Sequence, residues 1–116
     1  MEKRYRLRDN ERFRRVRKEG RSWSNALLVL CVLPNGLDHS RFGFSVSKRV
    51  GKAVVRNRAK RLLREAARLR QDMIPPGQDL VFVARSPIKD ADLRELDLAV
   101  EKVLRQAGLL SAQHCA

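Results

Sequence analysis

Residues that carry ordinary enzyme chemistry are scarce in this chain. It has two cysteines, two histidines, one tryptophan and one tyrosine among 116 residues. Cys31 lies in an apolar run and Cys115 in the C-terminal tail, with no Cys/His spacing of a zinc site. They read as a buried apolar cysteine and a free tail thiol rather than a disulfide. His39 falls in a hydrophilic turn and His114 in the tail, so both read as solvated loop residues rather than an acid–base pair. No apolar run approaches the ~18 residues of a spanning helix, and no hydrophobic segment follows the charged N-terminus. Neither a membrane span nor a signal peptide is read, and the expected compartment is cytoplasmic.

Acids are missing where cations are densest. Residues 48–64 hold eight cations and no acid. Residues 1–21 hold ten cations and four acids, residues 48–70 ten and one, and the rest six and eight. Two local basic surfaces thus carry the whole net charge of +13. Such a distribution is the footprint of a polyanion binder. A basic amphipathic helix also suits anionic lipid. Here, however, its apolar side is small and lacks aromatics, which favours packing on a sheet.

No carboxylate cluster on the basic elements is placed to hold Mg²⁺. Asp90, Asp92, Glu95 and Asp97 suit helix capping and dipole compensation. Gly51, in Arg49-Val50-Gly51-Lys52, lacks the spacing and the Lys-Ser/Thr ending of a phosphate-binding loop. The protein alone is not expected to catalyse a reaction.

The pattern along the chain predicts one small α+β domain in the order α-β-β-α-β-α. Asp9 or Asn10 caps a first helix that ends at Gly20 and carries Phe13 and Val16 on one face. Residues 25–33 read as a buried strand, closed by the turn Pro34-Asn35-Gly36. Residues 41–47 alternate, with Phe42, Phe44 and Val46 on a core face and Arg41, Gly43, Ser45 and Ser47 on an open one. A helix over 54–73 places Val55, Ala59, Leu62, Ala66, Leu69 and Met73 toward the core. After Pro75-Pro76-Gly77 come a strand over 79–85 and a helix from Asp92 to Gly108, with Leu93, Leu96, Val100, Val103, Leu104 and Ala107 on its stripe. The tail from Ser111 is expected to fray. The 41–85 unit implies a parallel strand pair, beside an antiparallel hairpin of the first two strands, in a short mixed sheet. General statistics favour a right-handed crossover.

On the basic helix, Asn57, Lys60, Arg61, Arg64 and Arg68 fall opposite the apolar face, with Arg56 and Arg58 at its borders. Like charges at i,i+4 repel by a few tenths of a kcal/mol each, roughly, so this face makes sense with a polyanion across it. Arg56, Asn57 and Arg58 lie near the helix N-terminus, where free N–H groups favour anions, and Lys48, Arg49 and Lys52 extend the patch. Phe13 and Trp23 suit either core packing or stacking on an unpaired base.

Residues 48–65 (KRVGKAVVRNRAKRLLRE) resemble the "RNR" signature of the protein subunit of bacterial ribonuclease P. Residues 41–47 are similar to that family's second strand, and 7–13 with 20–22 to its first helix and exit. The likeness spans about 7–110. It implies a ribosomal-protein-S5-domain-2-like fold with a left-handed βαβ crossover. It also implies a protein cofactor of an RNA-based endonuclease that removes the 5′ leader from precursor tRNA. The catalyst would be the partner RNA with Mg²⁺ held through that RNA, and no obligate protein partner or membrane is implied.

The resemblance assigns contact with the catalytic RNA to Lys48, Arg49, Lys52, Arg56, Asn57, Arg58, Lys60, Arg61, Arg64 and Arg68. It assigns a cleft for the single-stranded leader to Phe13, Arg17, Ser45 and Ser47. Arg17 and Cys31 stand where the family often has aromatics, which shifts leader contact toward charge. The rival readings are a ribosomal-type RNA-binding module, a nuclease using His39 and His114, and a nonspecific DNA binder.

Overall fold

A carboxylate and a glycine bound the first helix. In the computed structural model, which describes residues 1–110, α1 (Asn10–Glu19) is capped by Asp9, whose side chain accepts the N–H groups of Glu11 and Arg12. At the other end a Cβ on Gly20 would collide with the carbonyl oxygens of Val16 and Val32, so only glycine lets the helix end that close to the sheet.

The chain then forms β1 (Arg21–Ser24), β2 (Leu28–Pro34), β3 (Arg41–Ser45), α2 (Ala53–Arg70), β4 (Gln78–Ala84) and α3 (Leu93–Gln106). The four strands lie in the order β1-β2-β4-β3. β1 pairs antiparallel with β2, β2 antiparallel with β4, and β3 parallel with β4. The mixed α+β sheet and the parallel pair around α2 agree with the sequence reading.

Four details differ from it. β1 was not anticipated, and the hairpin is β1–β2 rather than the two longer strands, because β4 inserts between β2 and β3. Asn25 does not begin a strand: its side-chain oxygen accepts the N–H groups of Leu27 and Leu28 and its amide donates to the Ala99 carbonyl, which makes a turn. β3 stops at Ser45, so Ser47 leaves the sheet and accepts the Val50 N–H in a turn. α2 ends at Arg70 and continues only as a short 3-10 turn, Gln71–Met73.

Alternation along the strands sorts two cores. Leu28, Leu30, Val32, Phe42, Phe44, Leu80 and Phe82 face α2 and α3, and Phe44 stacks on Phe82 at 5.5 Å between centroids. Cys31 and Val81 face the other way, against Leu7 and Val16, with Phe13 at the margin. The Cys31 thiol is free, and burial raises its pKa against the opposing pull of Arg17.

α2 is rotated relative to its predicted face. Ala59, Leu63, Ala66, Ala67 and Arg70 are buried, whereas Leu69 is 60 % and Met73 54 % exposed. A buried Arg70 explains this. It forms a bidentate pair with Asp97 of α3 at 2.8 and 2.9 Å and donates to the Ala66 carbonyl, which locks the two helices face to face. Asp97 is thus an inter-helix clamp rather than a dipole compensator. On α3, Leu93 lies outside the buried stripe, while Asp92 and Glu95 form a reciprocal capping box. Gly108, at a φ of +74°, follows the end of α3 in the left-handed region. Among the described residues, no helix is long and apolar enough to cross a membrane. His114, Cys115 and the expected fraying from Ser111 lie outside the described residues.

Candidate nucleic-acid interface

The loop before α2 holds its cations outward because Val50 points inward. Val50 is 2 % exposed and packs into the main core, leaving Lys48, Arg49 and Lys52 in solvent. Lys52 supplies no side-chain cap to α2, and the first turn has no acid, so this helix end keeps its positive dipole uncompensated. Asn57, Lys60, Arg61 and Arg68 project from the exposed side, while Arg56, Arg58 and Arg64 are half-buried at its borders.

These side chains are not equivalent. Arg58 reaches the Ala91 carbonyl through Nη2 at 3.4 Å. Arg68 is forked onto Glu65, one turn back, so its charge is already matched in the free protein. The Nε atoms of Arg56 and Arg64 are buried without a hydrogen-bond partner. Buried donors in that condition are uncommon and demand an acceptor.

A cleft of about 520 Å³ opens beside α2 at the free edge of β3. Gly43, Ser45 and Val46 form its base, Asn10, Phe13 and Arg17 of α1 one wall, and Lys60 and Arg64 of α2 the other. The N-terminal segment closes one end. Leu7 donates to the Phe42 carbonyl at 2.8 Å, and Arg6 bridges to Phe42 in parallel fashion, so residues 6–7 lie as a strap on the β3 edge. The buried Leu7 fixes that strap and turns Arg6 and Arg8 into the cleft. Burial, and then the nearby Arg6 and Arg8 guanidiniums, lower the Arg64 pKa from its ordinary value.

Of the sequence-predicted cleft residues, Phe13, Arg17 and Ser45 meet here, whereas Ser47 is exposed beyond the strand end and outside the lining. Lys60 and Arg64, read only as part of the helix face, also line the cleft. The face and the cleft are therefore one continuous basic surface. Arg6, Arg8 and Asn10 were missed. The cations at alternate positions Arg4, Arg6 and Arg8 around Leu7 are the period-2 signal that could have revealed an edge strap. Trp23 sits against the main core with the Arg21 guanidinium 5.1 Å from its ring, away from the cleft.

Two arginines near the cleft are structural. The fully buried Asp79 accepts from Arg41 Nε and Nη2 at 2.8 and 2.7 Å, from Arg12 Nε at 2.7 Å and from Asn35 at 2.9 Å. Burial by itself raises this carboxyl's pKa. The hydrogen bonds from Arg41, Asn35 and Arg12 outweigh it and hold the group below its ordinary value. Arg12 thereby pins α1 to β4, which sets the width of the cleft.

The cleft lining contains no carboxylate. Its donor set does not fit a divalent cation; it fits a chain of phosphates with flat groups between them, which Phe13 is placed to meet.

The Ribonuclease P family model matches residues 1–108. Among curated proteins, the chain is 50 % identical to the ribonuclease P protein component of Clostridium novyi, covering 94 % of this chain and 98 % of that one. It is 44 % identical to that of Alkaliphilus oremlandii, covering 92 % and 94 %. Among solved structures, the ribonuclease P protein of Staphylococcus aureus superposes with a TM-score of 0.85 at 36 % identity, covering 92 % of this chain and 98 % of that one. The Thermotoga maritima protein gives 0.79 at 33 %, covering 87 % and 96 %.

Proposed function

This chain belongs to the ribonuclease P protein family, and from that premise we propose that it serves the enzyme as a noncatalytic RNA-binding subunit whose cleft takes the single-stranded 5′ leader of precursor tRNA. As a ribonuclease P protein component it works with ribonuclease P RNA in a tRNA-processing endoribonuclease. The finer division of labour is our reading. The exposed side of α2 and its approach loop, from Lys48 to Arg68, dock on the catalytic RNA, while the cleft receives the leader.

The observation that carries this reading is the convergence of Arg6, Arg8, Arg17, Lys60 and Arg64 on one channel with no acid in its lining. Each phosphate neutralised there releases condensed counterions, which favours binding in a salt-dependent way. Phe13 offers a ring on the α1 wall of the channel, and base stacking on an aromatic contributes about 1–3 kcal/mol. Arg64 lines the channel, and its guanidinium can donate a charge-assisted bond to a phosphate oxygen there. The chain's role is thus to bind and orient substrate and to offset phosphate repulsion between two RNAs, in the cytoplasm. Mg²⁺ chemistry is assigned to the RNA, since the cleft offers a divalent ion no carboxylate.

Reconstitution with a bacterial ribonuclease P RNA at low Mg²⁺ tests this. The protein should stimulate leader removal, and Arg6→Glu with Arg17→Glu, two cleft cations outside the α2 docking face, should abolish the preference for leadered over leaderless tRNA while leaving catalytic-RNA binding largely intact. Equal loss for both substrates would overturn the leader assignment.

A further inference from the structure

Beyond the strap, at the opposite end of the β3 edge, lies a second cavity of about 230 Å³. Phe42 lines both cavities, so the strap residues that bridge to Phe42 form the wall between them. The chemistry changes across this wall. The cleft is lined by cations alone among charged groups, whereas the second cavity combines Arg4, Tyr5 and His39 with two carboxylates, Asp38 and Asp72.

The Tyr5 and His39 rings meet edge to face at 5.9 Å. The Arg4 guanidinium carbon lies 4.8 Å from the Tyr5 centroid. Asp38 engages His39 Nδ1 through one oxygen at 2.8 Å, which leaves its second oxygen open. The Asp72 side chain is exposed and makes no hydrogen bond or ion pair to another described residue.

Two carboxylates repel a phosphate, so the backbone of a bound strand does not enter here. A flat ring with N–H donors on its edge does suit the cavity. It stacks on Tyr5 or on the guanidinium that already covers it, and its edge meets the carboxylates. The volume is below the ~300–1,000 Å³ of drug-sized pockets and suits one ring system. Among the four bases, guanine alone presents two adjacent donors, N1–H and the N2 amino group, to a single carboxylate. Cytosine and adenine place an acceptor next to their amino group, and uracil sets one N–H between two carbonyls.

The geometry points to a pocket for one unpaired guanine in the bound RNA. The inference rests on the reading of the adjoining cleft as an RNA channel, because Arg6 and Arg8 of the strap would carry the phosphates of the same strand. The guanine belongs either to the precursor or to the catalytic RNA. Both offer the same edge.

Kethoxal, which modifies the N1 and N2 positions of unpaired guanines, distinguishes these sources in the assembled complex of protein, ribonuclease P RNA and precursor tRNA. The unaltered protein should protect one guanine that Asp38→Ala/Asp72→Ala and Tyr5→Ala each leave roughly tenfold more reactive, and the strand carrying it names the source. Both acids are exposed, so the double variant should fold normally. Identical guanine protection by all three proteins would overturn the pocket. Hydroxyl-radical cleavage of the leader backbone in the same complexes reports the cleft separately. A leader unprotected by every protein would sink the cleft reading, whereas the guanine signal alone decides the pocket.

Discussion

A Cβ placed on Gly43 would lie 2.5 Å from Cε2 of Phe13. The bare backbone of β3 is thus what lets the Phe13 ring close against the base of the cleft. Gly43→Ala should push the ring out, at a cost of about 1–3 kcal/mol from overpacking. In a Phe13→Ala background the same substitution should cost little, since the obstructing ring is gone. Urea denaturation of the two single variants and the double variant closes this cycle. Additive losses would mean that the two residues do not share the site.

Asp79 predicts how α1 responds to acid. Its folded pKa is depressed, so the unfolded chain binds more protons in the window between the two values. Its contribution is fully present above the unfolded carboxylate value, near ~4, and is lost as pH falls through the folded one. Denaturation midpoints measured from pH 7 down to pH 3 should fall in the parent chain with a component that Asp79→Asn lacks. At pH 7, Asp79→Asn should be the less stable protein by about 3 kcal/mol, because Arg12 and Arg41 lose their shared counter-charge. A parallel pH dependence in the two proteins would refute the assignment.

Local signals in the sequence carried far, and long-range ones did not. The Asp9 cap, Gly20, the alternation around Phe42 and Phe44 and the capping residues of α3 each act over a few positions, and each is where the pattern put it. β1 escaped because Arg-Ser-Trp-Ser is a short edge strand with polar residues on most positions, which pairing with β2 rather than hydrophobic alternation defines. The face of α2 was misjudged at Leu69 and Met73 because Arg70, which the apolar pattern leaves out, is buried. Carboxylates on α3, above all Asp97 27 residues away, make that burial tolerable. The cleft was legible in Phe13, Arg17 and Ser45. Its N-terminal wall depends on one bridge to Phe42, which only the brief alternation of Arg4, Arg6 and Arg8 around Leu7 hints at.

That arginine supports a further expectation. Arg70 is 7 % exposed and loses its partner in Asp97→Ala, but Glu101 lies 3.5 Å from Nη2 and offers a second carboxylate. With Asp97 itself 36 % exposed, the loss should be about 2 kcal/mol, below the range for breaking a fully buried pair. Asp97→Ala/Glu101→Ala should exceed it by at least ~1 kcal/mol, read by thermal or urea unfolding. If the double variant matches the single one, Glu101 plays no part in holding the helices together.

Charge pairing within α2 sets which cations are ready for RNA. Arg68 is forked onto Glu65, and both side chains are about half exposed, so the pair itself contributes little to stability. It does keep Arg68 matched before RNA arrives. Arg61 is exposed with no acid recorded against it, so a phosphate finds it free. Arg61→Ala should therefore lower the slope of log K against log salt for ribonuclease P RNA binding by about 0.7–0.9, the value of one phosphate contact. Arg68→Ala should lower it less, because RNA must first displace Glu65. Glu65→Gln supplies the opposite sign: it releases Arg68 and removes a negative charge from the surface. Binding should then tighten at low salt, with a steeper slope and a folding stability within about 0.5 kcal/mol of the parent chain. Filter binding across a salt series measures all three variants on one scale. A Glu65→Gln protein with unchanged affinity and slope would show that the exposed side of α2 near Arg68 lies outside the RNA interface, and would restrict docking to the N-terminal half of the helix and its approach loop.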